Sequence, residues 1–258
     1  MLTPKIIDFY YFTGTGNTYL VVNEMKNYFV SNGYEVNLYQ MEKTNPQEIK
    51  ADKNRVIGLA FPVAFQSTFQ FIWEFLKNLP EVECKTKIFM VDTLSEYCGG
   101  IVGPLKKILK KKGYLPIGAK EIKMPSSLTS KPNKDIYQSK IEKGIKAAKI
   151  YAHDLIYETS RWHQTPLPNI LKNISQNDRI LRFFRKKYPM TLDEEKCIKC
   201  ELCVKLCPVK NIKMEEYPVW SNNCQFCLRC FAFCPVEAIS VKNTNFKPYK
   251  SIKADDIL

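Results

Sequence analysis

Histidine is almost absent from this chain: His153 and His163 are the only two in 258 residues. A metal centre or an acid/base pair built on imidazole needs partners that the sequence does not show beside these two, so surface or packing roles are expected for both. Long apolar runs are lacking as well. No stretch reaches the about 18 apolar residues that a helix needs to cross a bilayer, so no membrane span is expected. The one apolar stretch near the start, residues 6–12, is broken by Asp8 and followed by no small-residue cleavage site, and it reads as a first buried strand rather than a leader peptide. There is no Gly-Lys-Ser/Thr ending of a nucleoside-triphosphate loop and no third glycine of a dinucleotide fingerprint. The formal net charge of +13 is accompanied by no recognised nucleic-acid motif, which leaves nucleic acid as a runner-up partner only. Apolar residues at 45% and aromatics at 12% supply a core for the longer N-terminal segment, and the length suggests one or two domains.

Cysteine, by contrast, is concentrated. Two copies of one phrase, Cys197-x2-Cys200-x2-Cys203-x3-Cys207-Pro208 and Cys224-x2-Cys227-x2-Cys230-x3-Cys234-Pro235, are offset by 27 residues. The repeat runs on through Val209 to Ile212 and Val236 to Ile239. A cubane cluster needs four thiolates around one compact core, three from a tight loop and a fourth from elsewhere, and this spacing is the ligand pattern of paired 4Fe-4S clusters. Zinc held by CxxC pairs is the alternative, although pairs alone leave the third cysteine and the Cys-Pro of each phrase without a role. Eight of the ten cysteines belong to the phrases, leaving Cys84 and Cys98. Such usage fits a reducing compartment, with a cytoplasmic location and no disulfides as the expectation. Residues 191–245 resemble the bacterial two-cluster ferredoxins, in which the fourth cysteine crosses over. The resemblance implies one cluster on Cys197, Cys200, Cys203 and Cys234, and the other on Cys224, Cys227, Cys230 and Cys207. So short a segment has little core of its own, and the clusters are expected to organise its fold.

A second motif follows the first strand: Thr13-Gly14-Thr15-Gly16-Asn17-Thr18, leading into a helical pattern through Leu20, Val21, Met25 and Phe29. Strand, Gly/Thr loop and helix make a phosphate cradle, because the glycines turn backbone N–H groups inward and the helix N-terminus adds positive potential. The hexapeptide resembles the flavodoxin loop that holds the 5′-phosphate of FMN. The remaining pattern alternates accordingly, with strands expected at 5–12, 35–39, 55–61, 87–92 and 118–124 and helices near 17–31, 67–78, 101–112 and 134–158. The resemblance implies a strand order 2-1-3-4-5, with FMN at the switch point between strands 1 and 3. It also points to two further loops as flavin-binding: Pro62, Val63, Ala64 and Phe65 after strand 3, and Thr93, Tyr97, Gly99 and Gly100 after strand 4. Phe65 and Tyr97 are candidates for contact with the isoalloxazine ring, the alternatives being a core role and a surface role.

Taken together, the loop, the segment Leu59-Ala60-Phe61-Pro62-Val63, Met124-Pro125 and both cysteine phrases resemble a fusion family of bacteria and archaea. In that family an N-terminal flavodoxin-like domain precedes a two-cluster ferredoxin; here Ser126-Ser127-Leu128 follows Met124-Pro125. The implied fold class is α/β: a doubly wound, parallel, five-stranded flavodoxin-like sheet with a small α+β ferredoxin domain. Its expected parts are 1–165, a basic bridge at 166–190, and 191–258. In the bridge, Arg179, Arg182, Arg185, Lys186 and Lys187 alternate with Ile180, Leu181, Phe183 and Phe184, which suits an acidic partner, a lipid surface or the seam between domains. Net charges of the three parts are +7, +5 and +1. Anionic cofactors offset some of this, and the rest suits an acidic redox partner of ferredoxin or flavodoxin type. The expected function is an oxidoreductase that couples one-electron clusters to FMN and reduces a small acceptor. A pure electron carrier and a cluster-storage protein are the competing readings, and no catalytic residue is assigned.

Overall fold

The computed structural model describes residues 1–96, 100–163 and 178–258. Its centre is a parallel sheet of β1 (Ile6–Tyr11), β2 (Glu35–Gln40), β3 (Arg55–Pro62), β4 (Lys87–Leu94) and β5 (Leu115–Lys123), ordered β2-β1-β3-β4-β5. Strand residues alternate between the faces. Ile7, Phe9 and Tyr11 pack with α1 (Asn17–Ser31) and α4 (Lys134–Ile156), whereas Tyr10 and Phe12 join the core beneath α2 (Gln70–Lys77) and α3 (Val102–Lys111). This is the flavodoxin-like doubly wound order, and its switch point falls where the chain leaves β1 and β3. Asp8 lies buried in β1, and its carboxylate accepts from the Arg55 guanidinium on one side and from Asn37 Nδ2, at 3.1 Å, on the other. A charge placed there is tolerable because both neighbouring strands answer it.

Most element boundaries fall within one or two residues of the sequence pattern, and two starts differ by three, each for a local reason. β5 starts at Leu115 rather than at 118. Pro116 and Gly118 look like strand breakers, but β5 is an edge strand, where a missing N–H is tolerated, and Ile117 is the extra residue of a bulge opposite Ile88 and Phe89. α2 starts at Gln70, because residues 64–67 form a tight turn closed by reciprocal bonds between Ala64 and Ser67 (2.8 and 2.9 Å).

In the C-terminal part, β6 (Met190–Leu192) pairs antiparallel with β9 (Ile239–Val241), and β7 (Ile212–Met214) with β8 (Pro218–Trp220). Short helices α6 (Leu202–Leu206) and α7 (Arg229–Ala232) emerge from the two cysteine loops. The sequence repeat is also a backbone repeat. Lys199, Glu201 and Lys210 have φ of 56°, 58° and 50°, and their counterparts Phe226, Leu228 and Glu237 have 56°, 65° and 50°. Asn211 N and Ala238 N, again equivalent positions, donate to Cys207 Sγ and Cys234 Sγ at 3.2 and 3.3 Å.

Of the expected bridge, residues 166–177 with Pro166 and Pro168 lie outside the described residues. Helix α5 (Asp178–Lys187) occupies the remainder, and Arg185 ties it to the second cysteine loop by donating from Nε to Cys224 O (2.9 Å) and from a terminal nitrogen to Asn222 O (3.0 Å). Among the described residues no helix is long and apolar enough to cross a membrane.

Near the end of β4, Asp92 is fully buried with neither carboxyl oxygen hydrogen-bonded, and Glu121 is its cross-strand neighbour on β5. Burial first, and the Glu121 charge second, hold the Asp92 pKa well above the ordinary carboxylate value. The folded protein therefore binds this proton more tightly than the unfolded chain. The associated stability is complete below the unfolded pKa and is lost as pH rises toward the folded value. Asp92→Asn is expected to gain on the parent protein as pH rises above about 4, by at most about 1.4 kcal/mol per pH unit. Urea midpoints of both proteins across that range check it; parallel curves contradict the assignment.

Candidate redox site

A cavity of ≈ 680 Å³ opens at the carboxyl ends of β1, β3 and β4. This is the crevice in which open α/β sheets bind ligands, and its size suits a cofactor. Its floor is the Gly/Thr loop. Thr13 Oγ1 accepts from Gly16 N at 3.1 Å, and Gly16, at φ 111°, turns the chain into α1. The first N–H groups of that helix have no intrahelical acceptor and aim their dipoles at the loop. The loop is braced from several elements. Thr18 Oγ1 bonds Thr93 Oγ1 (2.8 Å), Thr15 Oγ1 bonds Ser127 Oγ (2.7 Å), and Asn17 Nδ2 donates to Pro125 O (2.9 Å). From the far end of the chain, Tyr249 donates its hydroxyl to Asn17 Oδ1 (2.6 Å) and Ser251 N bonds Thr15 O (2.9 Å).

Thr13, Gly14, Thr15, Asn17, Thr18, Pro62, Val63, Ala64, Phe65 and Thr93 all line the cavity. Gly16 does not: a Cβ there would point at Ser251 and Ile252, so its place is in the turn. Gly100 also stands off the cavity, tying the loops together by donating from N to Gln66 O at 3.0 Å. Tyr97, Gly99 and the neighbouring Cys98 lie outside the described residues. Phe65 and Gln66 both have positive φ, 52° and 61°, the backbone of a two-residue primed turn made without glycine. That turn holds the Phe65 ring 5.2 Å from Phe184 of α5 and 6.1 Å from Phe226 of the second cysteine loop.

Phe184, Phe226, Cys227, Leu228 and Phe246, all from the C-terminal half, also line the cavity, and sequence reasoning assigned none of them to it. Ser126, Ser127 and Leu128, which follow Met124-Pro125, line it as well. Among the described lining residues none is Asp, Glu, Lys, Arg or His. An anion in the Gly/Thr loop would therefore be met by N–H groups and hydroxyls.

The cysteines gather in two groups. One small cavity is lined by Cys197, Cys200, Cys203 and Cys234, and another by Cys207, Cys224, Cys227 and Cys230. Cys200 is exposed and Cys230 buried. Among the described residues no three His, Cys, Asp or Glu side chains lie close enough to hold a single metal ion. Burial pushes the Cys203 thiol up to about 11 and the Cys227 thiol up to about 12, and it raises Cys224 and Cys230 too. Thiolates in such surroundings need metal charge to hold them deprotonated, which couples metal loading to folding.

Residues 190–213 match the 4Fe-4S binding domain family. A stretch of 52 residues is 42% identical to the pyruvate synthase subunit PorD of Methanocaldococcus jannaschii, covering 19% of this chain and 60% of that one. Another, of 65 residues, is 34% identical to the archaeal-type glutamate synthase (NADPH) of Dehalococcoides mccartyi, covering 24% of this chain and 13% of that one. The chain thus spans less than two thirds of either relative. Among solved structures, the two-electron reduced flavodoxin of Megasphaera elsdenii aligns with 55% of this chain and 98% of its own at 22% identity and a TM-score of 0.40. By its strand order and its matched domain, the chain is a fusion of a flavodoxin-like sheet with a 4Fe-4S ferredoxin-type domain.

Gly14 is a point where the backbones of the two halves come close: a Cβ there would lie 2.6 Å from the Cys227 carbonyl oxygen. Gly14→Ala is expected to part the two loops and weaken retention of the flavin proposed for this cavity, while leaving iron content near that of the parent. Flavin-to-protein and iron-to-protein ratios after gel filtration measure both effects, and unchanged flavin retention would contradict the close approach.

Proposed function

We propose that this chain is an electron-transfer oxidoreductase that binds FMN in the ≈ 680 Å³ cavity and a 4Fe-4S cluster at each cysteine group, and that reduces a small acceptor with electrons from a ferredoxin-type donor. The observation that carries this reading is that Cys227 lines both the large cavity and the pocket of the second cysteine group. One residue is thereby a wall of the proposed flavin site and a proposed cluster ligand. The clusters supply single electrons and the flavin accepts one or two, so a chain with both interconverts one-electron and two-electron chemistry.

The residues present fit these groups. Thr13 to Thr18 offer hydroxyls and helix N–H groups to a phosphate, and Phe65, Phe184 and Phe226 provide the apolar surroundings that keep water from a flavin ring. Cys197, Cys200, Cys203 and Cys234 would hold one cluster, and Cys224, Cys227, Cys230 and Cys207 the other. Cys200 is exposed, which suits exchange with a redox partner at the first cluster, while Cys230 lies buried at the second. Ser126, Ser127, Ser130 and Asn245 make part of the cavity wall polar, which supports a substrate-reducing enzyme over a pure relay. In this reading 1–165 is the flavin module, 166–190 the bridge and 191–258 the cluster module.

Anaerobic purification with iron, sulfide and flavin assays tests the proposal; about eight irons and one FMN per chain are expected. Full iron without flavin, even after reconstitution with FMN, would remove the flavin half of it. Cys234→Ala is expected to leave about four irons and to abolish the cluster of the Cys197 group rather than that of its own phrase. Loss of the Cys224 group's cluster instead would reverse the ligand map.

A further inference from the structure

Arg229 stands between Leu228, which lines the large cavity, and Cys230, and it is 3% exposed. Its Nε donates to Thr13 O at 2.8 Å, joining the second cysteine loop to the Gly/Thr loop. One terminal nitrogen donates to Glu42 Oε1 at 2.6 Å, and the other reaches Leu206 O at 3.4 Å. The guanidinium lies 4.4 Å from the centre of the Phe12 ring, at the end of β1. Glu42 is as buried as its partner, and its second oxygen has no hydrogen bond. Taking both charges out of water carries a desolvation penalty that their attraction must offset.

The internal repeat shows that the cysteine motif does not itself require this arginine. Its counterpart, 27 residues earlier, is Leu202. At equivalent places in two otherwise matching loops, an apolar side chain serves one and a buried cation the other. Among the described contacts it is the second loop that meets the Gly/Thr loop, through Arg229 and Thr13 and where Gly14 leaves no room for a Cβ against Cys227.

We propose that Arg229, set by Glu42, is a positioning residue that fixes the second cysteine group against the flavin loop and raises the reduction potential of that group's cluster relative to its twin. The inference rests on the cofactor reading above. A cation held in a low-dielectric interior favours the more negative, reduced state of a nearby redox group, and a buried carboxylate opposes it. The fork of hydrogen bonds to Thr13 and Glu42 also needs a guanidinium: a lysine supplies the charge without that geometry.

The test uses the cofactor-loaded full chain with Arg229→Gln, Glu42→Gln, the double variant and Arg229→Lys. Cluster potentials are read by EPR-monitored redox titration, and flavin retention by gel filtration. Expected are a lowered potential in Arg229→Gln, a raised one in Glu42→Gln and a return toward the parent in the double variant, with only one of the two clusters moving. Arg229→Lys is expected to keep the potential near that of the parent but to hold flavin less firmly. Shifts of the same sign in both single variants, movement of both clusters together, or no shift at all would overturn the proposal. If Arg229→Gln fails to load iron, the sign of the Glu42→Gln shift decides. A parent chain that takes up iron but no flavin would instead sink the cofactor reading, before any variant is compared.

Discussion

The structure turns on the approach of two backbones, the Gly/Thr loop at Gly14 and the second cysteine loop at Cys227, to a separation that no side chain at Gly14 would permit. Around it the other contacts fall into place. Arg229 bonds the carbonyl of Thr13, Phe226 reaches Phe65, and Arg185 holds α5 so that Phe184 closes the same side of the cavity. Arg229, Phe226 and Phe184 come from the C-terminal half and act on the N-terminal one, while Arg185 secures α5 within its own half. The cavity is accordingly a property of the fusion, and neither half alone would have its walls.

The cysteine loops follow a different logic. Six non-glycine residues at equivalent places adopt left-handed backbone, at a cost on the order of 1–2 kcal/mol each. Such alternation of hand makes a concave nest of N–H groups that suits an anionic centre. With buried thiols whose ionisation is suppressed, the loops combine two local penalties that metal charge would offset. That is the energetic sense in which so small a core as Ile212, Phe231, Ile239 and Val241 suffices.

Much of the scaffold was legible from the sequence, because short-range patterns specify it. Buried parallel strands betray themselves as runs such as Val56 to Phe61, and the cysteine repeat carries its own register. The start of β5 was not legible, since Pro116 is a breaker anywhere except at an edge or bulge, and edge position is a tertiary fact. The cavity walls from Phe184, Phe226 and Phe246 were hidden for a similar reason. Aromatics in a bridge or a metal loop look like local packing until the two halves are juxtaposed. Gly16 and Gly100 were read as cofactor-binding glycines, yet neither lines the cavity: Gly16 turns the chain into α1, and Gly100 ties its loop to Gln66. Among the described residues of the basic bridge, Phe184 of α5 contacts Phe65 and Arg185 bonds the second cysteine loop.

The strap formed by Tyr249 and Ser251 across the Gly/Thr loop sets a timetable for assembly. These contacts join positions 232 and 236 apart in the chain, while the sheet that presents the loop is made from residues 6–123. Closing such distant contacts comes at the greatest loop entropy, so they form after the local ones. The sheet can thus be complete while its ligand loop still lacks its outer brace. Residues that lie 232 and 236 positions after their partners in the loop finish a site that the loop begins.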